Sequence, residues 1–374
     1  DFSRVRSHHL DSLQFQREVI RPMKVCRVLR KLYCLVRIAL DCVLQKFWLR
    51  GDPPVTGNLA GTTALITGAT GGVGRATAEI LYLHGANLIL PCRDVPKGEK
   101  FRDELRALSS MRGAERGSIV ILKMDLASLD SVRDAAKELG NQTIDILILN
   151  AGIMGAPFKL SVDGSVESTF AVNQLSHFLL TRLLLPNLES AKAPRIIAVS
   201  SVAASLGFID LDDLTYRKRG YNGMRAYCDS KAANILFCEE FVRRYRSSRI
   251  KINAVHPGEV VTDISRELPW VLRRGHRLLS PILLSPTQGA WTTVAVATSK
   301  NLQHATGKFF CWIDRPCSWA LPMQTRAGDP TARDLWDLST KLTQPYVNFT
   351  QMREDSACHE KNSTSQIGNL KRHA

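Results

Sequence analysis

A chain of 374 residues with 44% hydrophobic and 23% charged side chains has the composition of a globular protein that can bury a full core. The formal charge of +15 is unevenly placed: residues 1–50 hold eleven Lys/Arg against four Asp/Glu. That asymmetry reads as a basic leader rather than a nucleic-acid-binding domain, and no zinc spacing, basic-aromatic pattern or recognition helix argues otherwise. Nine cysteines, an odd number without a CxxC pair, read as free thiols of a reducing compartment.

From Met23 to Arg50, polar residues including Arg37, Asp41 and Gln45 recur opposite Val28, Leu32, Leu35, Val36, Ala39, Leu40, Val43 and Phe47. Leu32 to Leu49 nearly reaches bilayer length, but Arg37, Asp41 and Lys46 would each cost about 2.5–3.5 kcal/mol near its centre. A basic amphipathic helix lying in a membrane interface is the expectation for residues 1–57. An organelle-targeting leader and a plain surface helix are its competitors. Gly51-Asp52-Pro53-Pro54 breaks the helix as a linker.

Strand and helix patterns then alternate. Strands are expected at Thr63–Thr67, Asn87–Cys92, Ser118–Met124, Ile144–Asn150, Arg195–Ser200 and Lys251–Val255, with helices near Arg75–Leu83, Lys97–Leu108, Leu129–Leu139, Ser168–Leu188 and Ala226–Tyr245. Such alternation implies right-handed crossovers, and the Ile/Leu/Val-rich strand cores suit burial on both faces. The expected fold class is α/β: one doubly wound, Rossmann-like parallel sheet with helices on both faces, spanning residues 58–345. Residues 346–374 read as a disordered tail.

Thr67-Gly68-Ala69-Thr70-Gly71-Gly72-Val73-Gly74 lies between the first strand and the first helix of this unit. Glycines there let the backbone approach a pyrophosphate, whose charge rests on the helix N-terminus. Tyr227 and Lys231 stand four apart on a helical pattern, where an ammonium beside a phenol favours the phenolate; a surface Tyr–Lys contact is the bland alternative. Ser200-Ser201, Asn150-Ala151-Gly152 and His256-Pro257-Gly258 all follow strand ends, and Asn173 lies early in a helix, so with the Tyr227/Lys231 pair five motifs converge on one rim. His256 is expected to pack locally rather than to act as a base.

Together Thr67-Gly68-x3-Gly72-x-Gly74, Asn150-Ala151-Gly152, Ser201, Tyr227-x3-Lys231 and Pro257-Gly258 resemble the short-chain dehydrogenase/reductase family. Stretches such as Val172–Thr181, Ala226–Asn234 and Asn253–Gly258 look similar to its retinol dehydrogenase and WW-domain oxidoreductase branch, though no WW domain is visible. The resemblance covers residues 58–342. It implies Tyr227 as general acid/base, Lys231 lowering the Tyr227 pKa and binding the nicotinamide ribose, Ser201 orienting the carbonyl, and Asn173 holding a relay water. Gln174 and Ser176 replace the His and Gly usual in that branch.

The same resemblance implies cofactor contacts at Gly68, Thr70, Gly72, Val73, Gly74, Asn150, Ala151, Gly152, Pro257, Gly258 and Thr262, and at the adenine-side pair Asp125-Leu126. For that pair a helix N-cap, Asp125 or Ser128, is the plain reading. Arg93 falls at the phosphate-reading position after the second strand, with Arg75 assisting, so NADP(H) is favoured over NAD(H). No metal is implied.

Residues 263–285 interleave leucines with Arg266, Arg273, Arg274 and Arg277, and read as an apolar substrate lid with a basic rim or, equally, as a core helix with a solvated face. The implied activity is carbonyl–alcohol interconversion on a lipophilic small molecule such as a retinoid, steroid or fatty aldehyde. A catalytically silent nucleotide-binding scaffold and a pigment-reductase-like enzyme (protochlorophyllide type) are the alternatives. The expected partners are that substrate and a membrane surface met by residues 23–50 and the lid, without nucleic acid. The family habit is a homodimer through the helices bearing Asn173 and Tyr227, with a membrane-bound monomer the alternative. The expected location is intracellular, on the endoplasmic reticulum or another organelle, or cytoplasmic if the leader is no anchor.

Overall fold

The computed structural model describes residues 27–48, 57–112, 117–161, 163–260, 283–325 and 328–347. Helix α1 (Arg27–Trp48) precedes β1 (Thr63–Ile66), α2 (Gly72–Leu83), β2 (Asn87–Cys92), α3 (Val95–Arg112), β3 (Ile119–Lys123), α4 (Leu129–Leu139) and β4 (Ile146–Leu149). Next come α5 (Ser168–Phe170), a π turn (Ala171–Leu175), α6 (Ser176–Leu183), α7 (Leu185–Glu189), β5 (Arg195–Val199), α8 (Gly223–Arg244) and β6 (Lys251–Val255). The described chain closes with α9 (Pro286–Thr298), β7 (Phe309–Trp312), β8 (Arg315–Pro316) and α10 (Thr331–Thr343).

The strands form one sheet in the order β3-β2-β1-β4-β5-β6-β7-β8, parallel except for β8. Successive strand residues point to opposite faces, and here both faces are covered. Leu65, Ile89 and Leu147 enter a core shared with α4, α6, α8 and α10. Their neighbours Ala64, Ile66, Leu88, Leu90, Ile146 and Ile148 enter a second core shared with α2, α3 and α9. Each buried Leu or Ile contributes about 1.5–3 kcal/mol, so the alternation fixes strand register on both sides. The strand order reverses between β1 and β4, which opens a crevice at their C-terminal ends.

Four elements beyond the sequence expectation complete the fold: α9, α10, β7 and β8. Helix α9 is buried from Gly289 to Ala297 and so has no polar stripe to announce it. The single helix expected at Ser168–Leu188 is broken twice. The π turn interrupts it at Asn173, and Leu184 (φ −96°, ψ 6°) interrupts it before Pro186, which has no N–H to give the preceding turn.

Helix α1 has the two faces expected of it, with the polar one turned inward. Asp41 and Gln45 are buried, whereas Leu32, Leu35, Val36, Leu40 and Val43 are 44–59% exposed. Arg37 lies 3.8 Å from Asp41 and stacks 5.1 Å over Trp319. Gln45 accepts the Glu259 N–H (2.9 Å) and donates to the Glu259 carbonyl (3.3 Å). Among the described residues no helix is long and apolar enough to cross a membrane. The linker at 51–54, most of the 263–285 segment and the tail lie outside the described residues. Leu283 and Leu284, read as lid, are core residues instead. The Leu284 N–H donates to the Glu259 carbonyl, and its side chain fills the space over Gly258.

Candidate active site

The glycine turn follows β1 at the switch point. Gly68 and Gly72 have φ of +69° and +54°, a region that L side chains rarely occupy. A Cβ on Gly68 would lie 2.8 Å from Ala151 Cα, and one on Gly74 would overlap the Asn150 amide and the Gly68 carbonyl. The turn is thus closed on the side of β4 and open above Gly71, where a Cβ would meet nothing within 4 Å. Gly71 caps α2 without a side-chain bond, and no acidic residue lies in the first turn. Helices α4, α8 and α9 are each capped by a side chain, from Ser128, Asn222 and Ser285. The free N–H groups of α2 therefore face an open cradle, an environment that fits a dinucleotide's pyrophosphate. Thr70 and Val73 lie in the same turn, and Val73 packs under Gly289 of α9.

Thr67 joins the turn to the neighbouring strand end. Its Oγ1 accepts the N–H groups of Asn150 (2.9 Å) and Ala151 (3.0 Å), while the Asn150 amide donates to the Thr67 carbonyl (2.8 Å). A Cβ on Gly152 would stand 3.3 Å from both Asn173 Oδ1 and Lys231 Nζ, so this glycine admits close approach to the reacting edge.

Arg93 is exposed beyond β2 and makes no ion pair with the described residues. Asp94 turns to α3 and accepts the Lys97 N–H (3.1 Å). Arg75, expected to assist, pairs here with Glu104 at 2.5 Å and lies 4.5 Å over the Phe101 ring. At the third strand Ser128 is the cap of α4, while the Asp125 carboxylate accepts the Ala127 N–H (3.0 Å). Ser176 donates to the Leu126 carbonyl (2.6 Å), tying this loop to α6, whereas Gln174 is buried with its Oε1 unpartnered.

On the far side of the edge, α8 presents Tyr227 and Lys231, both under 9% exposed. Lys231 Nζ donates to the Val199 carbonyl (2.9 Å) and lies 5.7 Å from the centre of the Tyr227 ring. The serine pair divides its work. Ser200 donates to the Lys231 carbonyl (2.7 Å), whereas Ser201 hydrogen-bonds the Tyr227 phenol and accepts the Ala203 N–H (3.1 Å). The Asn173 side chain is fully engaged: Oδ1 accepts the Ile153 N–H (2.8 Å), and Nδ2 donates to the Ile153 carbonyl (3.0 Å) and to Ser230 Oγ (2.9 Å).

The electrostatics run against the expected lowering of the Tyr227 pKa by Lys231. Burial pushes the Tyr227 pKa well above the usual phenol range, the Glu259 carboxylate raises it further, and the Ser201 bond only partly opposes them. Burial also brings Lys231 down to about 8, so its own charge is weakly held. Tyr227 is consequently a neutral phenol at pH 7. His256 is a packing residue: burial lowers it to about 3, and Nδ1 accepts the Val202 N–H (3.4 Å).

Pro257 and Gly258 follow β6 on the same edge; Thr262 lies outside the described residues. Glu259 and His177 carry no role in the sequence pattern, where Gln45 stands only in the polar face of the leader and Thr67 only at the head of the glycine motif. Glu259 stood visible beside Pro257-Gly258, but its proximity to Tyr227 and Gln45 depends on folding.

An edge of this kind defines a dinucleotide-binding α/β enzyme. A family model described as short chain dehydrogenase matches residues 62–270. The chain is 38% identical over 299 residues to retinol dehydrogenase 14 of Mus musculus, covering 77% of this chain and 87% of that protein. Among solved structures, an uncharacterised protein from Mycobacterium paratuberculosis is 34% identical with a TM-score of 0.61, over 78% of this chain and 96% of that one. An NADPH-bound carbonyl reductase from chicken fatty liver is 26% identical with a TM-score of 0.51, over 70% and 100%. The chain belongs to the short-chain dehydrogenase family, and within it to the retinol dehydrogenase branch.

Proposed function

We propose that this oxidoreductase uses NADP(H) to interconvert a carbonyl and an alcohol on a lipophilic substrate, with Tyr227 as the proton donor in reduction. The observation that carries the reading is the buried, neutral Tyr227 phenol, hydrogen-bonded to Ser201 on the same sheet edge as the open glycine cradle. Gly68, Thr70, Gly72, Val73 and Gly74 would hold the pyrophosphate, Arg93 the 2′-phosphate, and Asp125 and Leu126 the adenine side. Asn150, Ala151, Gly152, Lys231, Pro257 and Gly258 would line the nicotinamide side. When bound, the cofactor supplies the hydride that reduces the carbonyl carbon.

The chain's own residues do the remainder. Ser201 donates a hydrogen bond to the substrate oxygen and orients it. Tyr227 passes its proton to that oxygen as negative charge develops, giving the alcohol, and is reprotonated from solvent along the path past Lys231 and Asn173. The Asn173 side chain is tied to Ile153 and Ser230, and its main-chain carbonyl in the π turn would hold a relay water.

A lipophilic substrate is supported by Phe158, Phe208 and Met224, large apolar side chains 39–50% exposed on the segments that follow β4, follow β5 and begin α8. The outward apolar face of α1 supports a position on a membrane surface, with the inward Gln45 contact tying that helix to the segment after β6. Trp336 of α10 packs on Phe178 (4.9 Å) and Phe237 (5.7 Å), covering helices that a homodimer would use, so a monomer at that face fits better. Oxidation of NADPH and of NADH is to be measured against a panel of retinaldehyde, steroid ketones and long-chain aldehydes. Turnover with NADPH on an apolar member supports the reading; NADPH binding without turnover on any member defeats it. Co-sedimentation with anionic vesicles, lost in a Val36→Asp variant, tests the membrane face.

A further inference from the structure

His177 of α6 is 2% exposed and lies between the cofactor turn and the proton path. Both ring nitrogens are engaged: Nε2 lies 3.0 Å from Thr67 Oγ1, and Nδ1 lies 3.1 Å from the Asn173 carbonyl oxygen. A hydroxyl has one proton and two lone pairs. The lone pairs of Thr67 Oγ1 receive the Asn150 and Ala151 N–H groups, so its proton points outward, to His177 Nε2 at 3.0 Å rather than to the Ile148 carbonyl at 3.4 Å. Nε2 must then accept. At the other end the Asn173 carbonyl can only accept, so Nδ1 must donate. Two independent constraints demand one tautomer, with the proton on Nδ1. Burial holds the ring neutral, at a pKa of about 3, so this arrangement persists throughout the neutral range.

The consequence reaches both halves of the site. Through Thr67 the ring fixes the hydroxyl beneath Asn150 and Ala151, where the glycine turn meets β4. Through Nδ1 it bonds the Asn173 carbonyl, which lies in the π turn and is the group that the reading above gives to a relay water. We propose that His177 is a positioning residue that locks the cofactor turn and the proton path into one register through its Nδ1–H tautomer. The inference rests on the reading of the site given above.

The two bonds can be removed separately. In a His177→Asn variant the amide reaches only as far as Nδ1, keeping the donor to Asn173 and leaving the Thr67 hydroxyl without its acceptor. In a His177→Gln variant the amide reaches Nε2, keeping an acceptor for Thr67 and releasing the Asn173 carbonyl. Loss of one hydrogen bond predicts weaker NADPH binding by about 2- to 12-fold in His177→Asn, read by NADPH fluorescence without substrate, with kcat near wild type. For His177→Gln it predicts near-normal NADPH binding, a kcat lower by about the same factor with retinaldehyde, and a displaced pH profile of kcat. Thr67→Val, which also strips the acceptor from the Asn150 and Ala151 N–H groups, should weaken NADPH binding more than His177→Asn does, and Thr67→Ser, which keeps the hydroxyl, should bind as wild type. Nitrogen-15 spectra of the protein without cofactor should show a neutral His177 ring protonated at Nδ1. An Nε2–H ring, or equal losses of thermal stability in both His177 variants with NADPH affinity, kcat and pH profile unchanged, would overturn the inference. Tyr227→Phe measured alongside separates the claims. Wild-type turnover there defeats the mechanism, whereas an inactive Tyr227→Phe beside kinetically normal His177 variants defeats only the role of His177.

Discussion

Gly74→Ala tests whether the glycine turn is built by packing against β4. The added methyl would overlap the Asn150 amide and the Gly68 carbonyl, and the second is backbone that cannot rotate away. Helix propensity favours the alanine by up to about 1 kcal/mol. Overpacking costs about 1–3 kcal/mol, and displacing the Asn150 amide from the Thr67 carbonyl (2.8 Å) costs about 1 kcal/mol more. The net loss is about 1–3 kcal/mol, a fall in Tm of roughly 2–10 °C at the scale of a domain this size. The assay is reversible thermal unfolding without cofactor, followed by NADPH titration. Gly71→Ala is the contrast, since its Cβ meets nothing within 4 Å and its backbone is extended. That variant should melt within about 1 kcal/mol of wild type yet bind NADPH more weakly, its methyl standing where the phosphate belongs. A Gly74→Ala protein that melts at or above wild type with unchanged NADPH affinity would refute the packing argument.

Three other outcomes follow from the same geometry. His256 is held neutral at a pKa of about 3, below its unfolded value of 6.5, so its stability contribution is present above pH 6.5 and is lost as the pH falls toward 3. Unfolding free energies should therefore show wild type losing about 1 kcal/mol per pH unit relative to His256→Asn between pH 6.5 and 5, and parallel curves would contradict this. Arg93→Ala should raise KM for NADPH by roughly 10- to 150-fold, the range of a charge-assisted hydrogen bond, and leave KM for NADH nearly unchanged; equal changes for both cofactors would count against Arg93 as the phosphate reader. Gln45→Ala leaves the Glu259 N–H without its acceptor, at a cost of about 1–3 kcal/mol, while the Glu259 carbonyl keeps the Leu284 N–H. Hydrogen exchange at the Glu259 amide should quicken, and unchanged exchange would show that α1 does not brace that segment.

Much of the fold was legible because strands buried on both faces are dominated by Ile, Leu, Val and Ala, with few polar residues such as Asn253 to blur them. The bounds of β2 and β6 are those expected, Asn87–Cys92 and Lys251–Val255. Helix α9 escaped notice for the opposite reason: it is buried all round, and its Thr- and Val-rich sequence carries no helical stripe. At the site, the family pattern singles out Ser201 over Ser200, and the bond from Ser200 to the Lys231 carbonyl supports that proposal. The charge state of Tyr227 was not legible. Spacing places an ammonium one helical turn away but says nothing of the burial that brings that lysine to about 8, nor of the Glu259 carboxylate delivered from β6. The inward polar face of α1 was hidden likewise, since an amphipathic pattern gives two faces and not their neighbours.

The central claim is that Tyr227 gives the proton while the cradle holds the cofactor, and Tyr227→Phe separates these directly. Single-turnover oxidation of NADPH with retinaldehyde should fall by about 10²- to 10⁴-fold, while the NADPH dissociation constant stays within about 3-fold of wild type. Undiminished turnover in that variant would contradict the account.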